Sequence, residues 1–125
     1  MRYDFRESAE FERQREKLKL SDEDFSELQA ELNINPRAGD VIQGTGGVRK
    51  VRQPDKQRGK GKSGGIRIIY RFYEQYDMIF LITFFNKNIP DLTPVQGEAV
   101  RRMNAEFAEQ LRAEWEHHQR KGKQK

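Results

Sequence analysis

The sequence predicts an α+β fold with an N-terminal helical hairpin, an antiparallel sheet of three to five strands and a C-terminal helix. Three observations support this prediction. Apolar residues recur at helical spacing before residue 36 and after residue 93. Between residues 66 and 85 they either alternate with polar residues or follow one another without interruption. Segments rich in turn-forming residues separate these stretches. A chain of 125 residues suits one domain. We place it at residues 1–116, followed by a basic, disordered tail at residues 117–125.

Serine residues mark the starts of the two N-terminal helices. Ser8 and Ser21 each precede acidic residues and an apolar stripe, as N-cap residues do. In the second helix the stripe has the spacing i, i+3, i+7 and consists of Phe25, Leu28 and Leu32. Pro36 follows it and ends the helix. These two short helices are therefore predicted to form an antiparallel hairpin.

The middle of the chain has the pattern of an antiparallel meander. Residues 48–52 and 66–73 are predicted strands, and residues 66–73 alternate between two faces. Residues 78–85 are apolar almost throughout, which is typical of a central strand covered on both faces. Residues 74–77 are short enough for a hairpin connection, and residues 2–6 are a candidate for one further short strand.

Two polar segments interrupt this region. The glycine-rich residues 44–47 precede a strand and do not open a helix, so they predict a tight turn with positive φ and not a nucleotide-binding loop. Residues 53–65 contain no large apolar side chain and several lysines, which predicts a flexible basic hairpin loop. This loop is either a plain linker or an arm that holds an RNA backbone.

The C-terminal helix has a well-marked start. Thr93 is a predicted N-cap, Pro94 occupies the first helical position and Gln96 closes a capping box. An apolar stripe with spacings of three or four residues follows, made of Val100, Met103, Phe107, Leu111 and Trp115. One long amphipathic helix is therefore expected.

Positive charge is concentrated in the strand region. The chain has 24 Lys and Arg against 20 Asp and Glu, a formal net charge of +4, but residues 47–71 hold nine basic residues and only one acid, Asp55. The rest of the chain, apart from the tail, carries an excess of acidic residues. Such an uneven distribution offers a basic surface to a polyanion and an acidic flank elsewhere.

Strand alternation is expected to bring several of these cations to one outward-pointing face without an adjacent acid. They are Lys50, Arg52, Arg67 and Arg71, and Lys87 follows the central strand closely enough to join them. Like charges side by side are unfavourable unless an anion binds between them. Because arginine matches phosphate geometry and lysine supplies a point charge, this pattern favours a phosphate-binding face. A solvated edge of long side chains is the alternative.

Several classes of protein are not expected. The chain has no cysteine, which excludes disulfides and cysteine-based metal sites. Its two histidines, His117 and His118, lie in the tail, so neither a metal site nor a Ser/His/Asp arrangement is predicted, and no cofactor is expected. No apolar run approaches the roughly 20 residues of a membrane span, and the N-terminus lacks the apolar stretch of a signal peptide. We therefore expect a cytoplasmic protein that contacts no membrane.

Four short motifs resemble the RelE/HigB toxins of type II toxin–antitoxin modules, most closely their HigB branch. The motifs are LNINP at residues 32–36, GDVIQGTGGVRKVR at residues 39–52, GKGKSGGIRIIY at residues 59–70 and DLT at residues 91–93. Chance does not readily produce this ordered set of glycines and basic residues. The resemblance extends over most of the chain and leaves only the tail outside it.

This resemblance implies a metal-independent endoribonuclease that cuts messenger RNA in the A site of the 30S ribosomal subunit and so inhibits translation. The ribose 2′-OH attacks its own 3′-phosphate, which requires a base, cations for the phosphorane and an acid for the leaving oxygen. By motif position it implies catalytic roles for Lys50, Arg52 and Arg67. Many relatives carry an aromatic hydroxyl where this chain has Phe85, which cannot transfer a proton, so Lys87 is predicted to act there instead.

Further contacts with RNA are expected from side chains around these positions. Basic residues would pair with phosphates and Phe85 would stack on a base; the set is Arg49, Lys60, Lys62, Arg71 and Phe85. Two other functions remain open at this point. One is a gyrase-poisoning toxin of the ParE type with the same fold, and the other is an RNA-binding module that does not cleave.

A toxin of this family also implies a protein partner. The expected partner is a co-expressed antitoxin that carries a DNA-binding domain, often a helix-turn-helix. It would dock either directly on the basic sheet face or on the acidic surface of the first two helices, around Glu23 and Glu27. The helical surface is favoured, because docking on the basic face would require ordering the loop at residues 53–65.

Overall fold

The computed structural model describes residues 2–53, 65–85 and 92–123, the side chains of residues 121–123 excepted. Within these residues the elements follow in the order β1 (Asp4–Glu7), α1 (Ala9–Leu18), α2 (Asp22–Ile34), β2 (Asp40–Val41), β3 (Arg49–Gln53), β4 (Ile66–Tyr73), β5 (Met78–Phe85) and α3 (Pro94–Lys123). A 3₁₀ turn at Glu74–Tyr76 joins β4 to β5. None of the described helices is long and apolar enough to span a membrane.

The strands form a single five-stranded sheet in the order β1-β5-β4-β3-β2. Strands β2 to β5 pair antiparallel, as predicted, whereas β1 pairs parallel with β5. The prediction of a wholly antiparallel sheet is therefore wrong at this edge. A parallel pair needs a long crossover between its strands, and the chain between β1 and β5 supplies one because it includes α1, α2 and the other three strands.

The serine caps of the first two helices are confirmed. The Ser8 hydroxyl accepts a hydrogen bond from the Phe11 amide at 2.9 Å, and the Ser21 hydroxyl accepts one from the Asp24 amide at 3.0 Å. Ser8 also donates to the carbonyl oxygen of Ile82 at 2.5 Å. This second bond attaches the start of α1 to the central part of β5.

Helix α3 begins with the predicted capping box and is longer than expected. The Gln96 amide donates to the Thr93 hydroxyl at 3.2 Å, and the Thr93 amide donates to the Gln96 side-chain oxygen at 2.9 Å. The helix continues to Lys123, so residues 117–123 are helical and not the disordered tail that their composition predicted. An ion pair between Arg112 and Glu116 at 2.8 Å supports this end through i, i+4 spacing.

One face of the sheet, the α1–α2 face, packs against the first two helices. Its buried cluster consists of Phe11, Leu28, Leu32, Ile66, Ile68, Tyr70, Phe72, Ile79, Leu81 and Phe84. The even-numbered residues of β4 all belong to it, as the alternation predicted. Burial of this many large apolar side chains is the main source of stability on this face.

The opposite face, the α3 face, packs against the C-terminal helix. Its buried cluster consists of Val48, Ile69, Tyr73, Met78, Phe80, Ile82, Val100, Phe107 and Leu111. The rings of Phe80 and Phe107 stack with their centroids 3.8 Å apart, and this contact fixes the helix against β5. Trp115, the last residue of the predicted stripe, is 48% exposed and contacts Tyr76 at the edge of the core.

Candidate functional site

The pairing of β3 with β4 places four of the predicted site residues on the α3 face. Lys50 lies opposite Ile69, and Arg52 lies directly opposite Arg67. Because side chains two residues apart share a face of a strand, Arg71 lies on the same side as Ile69 and Arg67. The predicted grouping of Lys50, Arg52, Arg67 and Arg71 on one face is confirmed, and we call Lys50, Arg52 and Arg67 the cationic cluster.

The three cations of the cluster differ in their exposure to solvent. Arg52 is exposed and Lys50 is partly buried, whereas Arg67 is only 6% exposed. The expectation that Arg67 points outward into solvent is therefore wrong. Its strand lies between β3 and β5, so Arg67 has Arg52 on one side and Phe85 on the other. Arg67 is therefore the buried member of the cationic cluster, and Arg52 is its exposed member.

Arg71 shares this face but is engaged with the chain itself. Its Nε donates to the carbonyl oxygen of Gly46 at 3.1 Å, and its guanidinium lies 4.7 Å from the centre of the Tyr73 ring. A Cβ atom added at Gly47 would lie 3.1 Å from the Arg71 guanidinium carbon. Arg71 therefore holds the turn before β3 in place, and its predicted contact with RNA stays a prediction.

Arg49 lies on the other face of the sheet. It is opposite Tyr70 in the register, and its guanidinium donates to the carbonyl oxygens of Gly39 at 2.7 Å and Arg37 at 3.4 Å. The Tyr70 hydroxyl donates to the Pro36 carbonyl at 2.9 Å and accepts from the Gly39 amide at 3.0 Å. Arg49 thus fastens the segment after α2, and strand alternation separates it from the cationic cluster.

The remaining predicted site residues lie at or beyond the strand ends. Phe85 is partly buried at the end of β5, opposite Arg67. It also lines a small pocket of about 170 Å³ together with residues of α1 and α3. Lys60, Lys62 and Lys87 lie outside the described residues, as does most of the loop predicted at residues 53–65.

The glycine turn before β3 is held by a buried polar network that the sequence did not indicate. Gly44, Gly46 and Gly47 all have positive φ, which confirms the predicted turn. The Asn104 side-chain amide of α3 donates to the Thr45 carbonyl at 3.0 Å, and its oxygen accepts a hydrogen bond from the Tyr73 hydroxyl. The turn is therefore attached to both α3 and β4.

Burial affects the ionisation of the tyrosines that support the site. It raises the pKa of the Tyr73 hydroxyl to about 12, against the opposing charge of Arg71. Burial also raises the pKa of Tyr70. The hydrogen bond from Gly39 and the charge of Arg49 lower this pKa and offset part of the increase. Both hydroxyls therefore stay protonated at neutral pH and act as hydrogen-bond donors to neighbouring oxygens.

A cleft of about 560 Å³ opens beside the cationic cluster. It lies between the β2–β3 segment and the start of α3, and its walls are formed by Val41, Ile42, Gln43, Gly44, Thr45, Lys50, Leu92, Thr93, Pro94, Gly97 and Glu98. One wall residue is acidic: Glu98 lines the same cleft as Lys50. Hydrogen bonds from Arg101 lower the pKa of Glu98 and hold it as a carboxylate.

Sequence reasoning did not identify the α3 wall of this cleft. Thr93 and Pro94 were recognised only as helix-start residues, and Gly97 and Glu98 were not singled out. The one available signal was Gly97 itself, because glycine is a poor helix former and sits here in the first turns of a helix. Among the described residues, no group of three or more His, Asp or Glu side chains is arranged to hold a metal ion.

No known protein family matches the chain by its sequence profile, but its structure is similar to solved structures. A chain of the RelBE2 toxin–antitoxin complex from Mycobacterium tuberculosis matches with a TM-score of 0.50 and 15% identity, covering 70% of this chain and 100% of that one. The isolated E. coli RelE toxin matches with a TM-score of 0.49 and 21% identity, covering 81% of this chain and 98% of that one.

A third match is an arginine-to-alanine double mutant of E. coli RelE in the free state, with a TM-score of 0.46 and 19% identity, covering 67% of this chain and 82% of that one. At these identities the similarity concerns the fold alone. Of the three matches, the RelBE2 chain has the TM-score that supports a shared fold. The chain therefore has the RelE-like α+β fold that the sequence predicted.

Proposed function

We propose that this protein is the toxin of a type II toxin–antitoxin system, of the HigB branch of the RelE/HigB family. In this proposal it is an endoribonuclease that cuts messenger RNA in the ribosomal A site and so stops translation and growth. The observation that carries the proposal is the cross-strand register, which puts Lys50, Arg52 and Arg67 together on one face beside an open cleft.

The geometry of the cluster suits phosphate chemistry. Arg52 and Arg67 are directly opposed on neighbouring strands, and a guanidinium matches the geometry of a phosphate. Because Arg67 is 6% exposed, it acts on the phosphate from a partly desolvated site, where electrostatic stabilisation is stronger than in water. Buried charge of this kind is suited to the extra negative charge of a phosphorane.

The proposed reaction is an intramolecular transesterification. The O2′–P bond forms while the P–O5′ bond breaks, and the proton lost from the 2′-OH is balanced by one delivered to the leaving 5′ oxygen. The products are a cyclic 2′,3′-phosphate and a 5′-OH. Lys50 and Arg52 are proposed to hold the phosphate together with Arg67, and Lys87 is proposed to take part in proton transfer.

The test is direct. Purified protein is added to translating ribosomes, and primer extension then locates cuts in the messenger RNA. We expect cuts in phase with codons, products ending in cyclic phosphate, and no cutting by a Lys50→Ala, Arg52→Ala double variant. A parallel reaction on naked RNA reports whether cleavage requires the ribosome. RNA binding without cuts would contradict the enzyme proposal and favour a binding module, whereas inhibition of gyrase supercoiling without cuts would favour the ParE-type alternative.

The proposed partner is an antitoxin that docks on the first two helices. The first turn of α2 is acidic, and Glu23 in that turn is exposed. Ile34, at the end of the same helix, is 86% exposed. We expect Glu23→Lys with Glu27→Lys to weaken the complex, measured by co-purification with the antitoxin, and to spare RNA cleavage. If this variant still binds the antitoxin while changes at Lys50 and Arg52 prevent binding, the antitoxin covers the basic face instead.

A further inference from the structure

The cleft beside the cationic cluster is of a size that suits a bound ligand. Its volume of about 560 Å³ lies within the range of roughly 300–1,000 Å³ that is usual for small-molecule sites. Lys50 belongs both to this cleft and to the cationic cluster. Any chain that passes over the cluster is therefore adjacent to the cleft.

Gly97 is the unusual residue in the cleft wall. It lies inside α3, and its amide donates to the Thr93 carbonyl at 2.8 Å, so it has ordinary helical bonding. Glycine is a poor helix former because it leaves the unfolded chain more freedom than alanine does. Among the described residues, a Cβ atom added at Gly97 would meet no atom within 4 Å. The described part of the chain therefore gives no steric reason for glycine here.

Other glycines in this part of the molecule have such a reason. An added Cβ would lie 2.5 Å from the Lys50 carbonyl oxygen at Gly39 and 2.9 Å from the Asn104 side chain at Gly46. Gly44 and Gly47 have φ of +78° and +100°, which side chains rarely adopt. Gly97 differs from all four of these. Because Gly97 has no side chain, the space beside it in the cleft stays open.

We propose that this cleft binds one nucleotide of the RNA, next to the phosphate at the cationic cluster, and that Gly97 lets this nucleotide approach α3. The proposal rests on the proposed function for the identity of its ligand. Continuity with a cluster of three cations favours a nucleic acid over a peptide. Among the described residues of the wall the acid is Glu98, and its charge is offset by Arg101 at 2.6 Å and by Arg102 at 3.7 Å, which lowers its opposition to a bound polyanion.

The test measures binding in the absence of cleavage. RNA oligonucleotides with a 2′-O-methyl group at every position, which lack the attacking hydroxyl, are lengthened one nucleotide at a time and their affinities are measured. In the wild-type protein we expect each nucleotide that reaches the site to increase affinity. In Gly97→Leu we expect one increment, about tenfold, to be missing while shorter oligonucleotides bind normally.

Two matched variants control for stability and bulk. Gly97→Ala is expected to raise the thermal midpoint, because alanine is the better helix former, while reducing the same affinity increment by a smaller factor. Ala113→Leu places the same leucine side chain at an exposed position of α3 away from the cleft and is expected to bind like the wild type.

Several results would overturn the inference. Affinities of Gly97→Leu that are unchanged, or lowered equally at every length, would mean that no nucleotide occupies the cleft. The same conclusion would follow if wild-type affinity did not depend on length. A wild-type protein that binds with the expected increments but never cuts ribosome-bound RNA would overturn the proposed function alone and would leave the cleft assignment standing.

Discussion

The two faces of the sheet use basic residues in different ways. On the α1–α2 face, the Arg49 guanidinium binds the Gly39 carbonyl at 2.7 Å and stabilises the segment after α2. On the α3 face, its chain neighbour Lys50 borders an open cleft, and Arg52 lies opposite Arg67. One step along β3 therefore separates a structural cation from the cationic cluster.

This difference shows that the most basic part of the sequence does not form a single surface. Arg49 and Arg71 both lie within the most basic part of the sequence, yet both donate hydrogen bonds to backbone carbonyls. A backbone carbonyl satisfies a guanidinium as well as a phosphate oxygen does in hydrogen-bond number. The face on which a cation lies separates Arg49 from Lys50, although the two are neighbours in the chain.

The largest expected effect separates the two faces by activity. Arg67→Ala should lower the rate of RNA cleavage by about 10²–10³, the usual cost of removing one electrostatic donor to the transition state. Arg49→Ala is the control and should cleave at close to the wild-type rate. Single-turnover cleavage on ribosomes measures both, and circular dichroism checks that each variant is folded. Equal losses in the two variants would contradict the assignment of these arginines to different roles.

The next effect concerns stability on the α1–α2 face. Tyr70→Phe removes the hydroxyl that bridges the Pro36 carbonyl and the Gly39 amide, so a buried amide and a partly buried carbonyl lose this partner. We expect the free energy of unfolding in urea to fall by about 1–3 kcal/mol with little change in cleavage by the folded protein. Tyr76→Phe, at a partly exposed position, should change it by less than about 0.5 kcal/mol. A loss of cleavage without a loss of stability would place Tyr70 in the site.

Alkaline pH should lower the free energy of unfolding, because it acts on a buried tyrosine of the α3 face. Burial raises the pKa of Tyr73 from 10.0 to about 12, so the unfolded chain loses this proton at lower pH than the folded chain does. The stabilisation is complete below about pH 10 and is lost as the pH rises to about 12. Urea unfolding across this window should show the decline, and Tyr73→Phe should reduce it. Some decline should remain, because burial also raises the pKa of Tyr70. An identical decline in Tyr73→Phe would contradict this explanation.

The smallest effect is on salt dependence. If Arg52 contacts one phosphate of single-stranded RNA, Arg52→Ala should reduce the slope of log affinity against log salt by about 0.7. Arg49→Ala should leave the slope unchanged, since its guanidinium binds the chain itself. Titrations of one oligonucleotide at several salt concentrations measure both slopes. A reduced slope in Arg49→Ala would show that the α1–α2 face also binds RNA.

Local features of this protein were predictable because they depend on neighbouring residues. The caps at Ser8, Ser21 and Thr93 were identified correctly, since a side chain and an amide three residues away determine them. The alternation of β4 between two faces also followed from the sequence, because strand geometry has a period of two. The even-numbered face of β4 is buried as predicted, whereas the odd-numbered face, which was expected to point outward, is also covered, at Ile69 and Tyr73.

Features that depend on distant contacts were missed. The parallel pairing of β1 with β5 joins strands far apart in the sequence, and no local pattern specifies it. The helical residues 117–123 were taken for a tail because their composition is polar, although their helix starts more than twenty positions earlier, at Pro94. The proposed docking surface and the roles of the site residues stay predictions until the experiments above are done.

The sequence by itself determined the α+β class, the helix starts and the sharing of one strand face by Lys50 and Arg52, since each follows from spacing along the chain. The tertiary structure alone decided that Arg67 is buried within the cationic cluster and that Arg49 binds Gly39. It also decided that Gly97 lines the same cleft as Lys50. These depend on which elements pack together. Packing brings side chains from separate elements to within a few ångströms, and local spacing does not encode those distances.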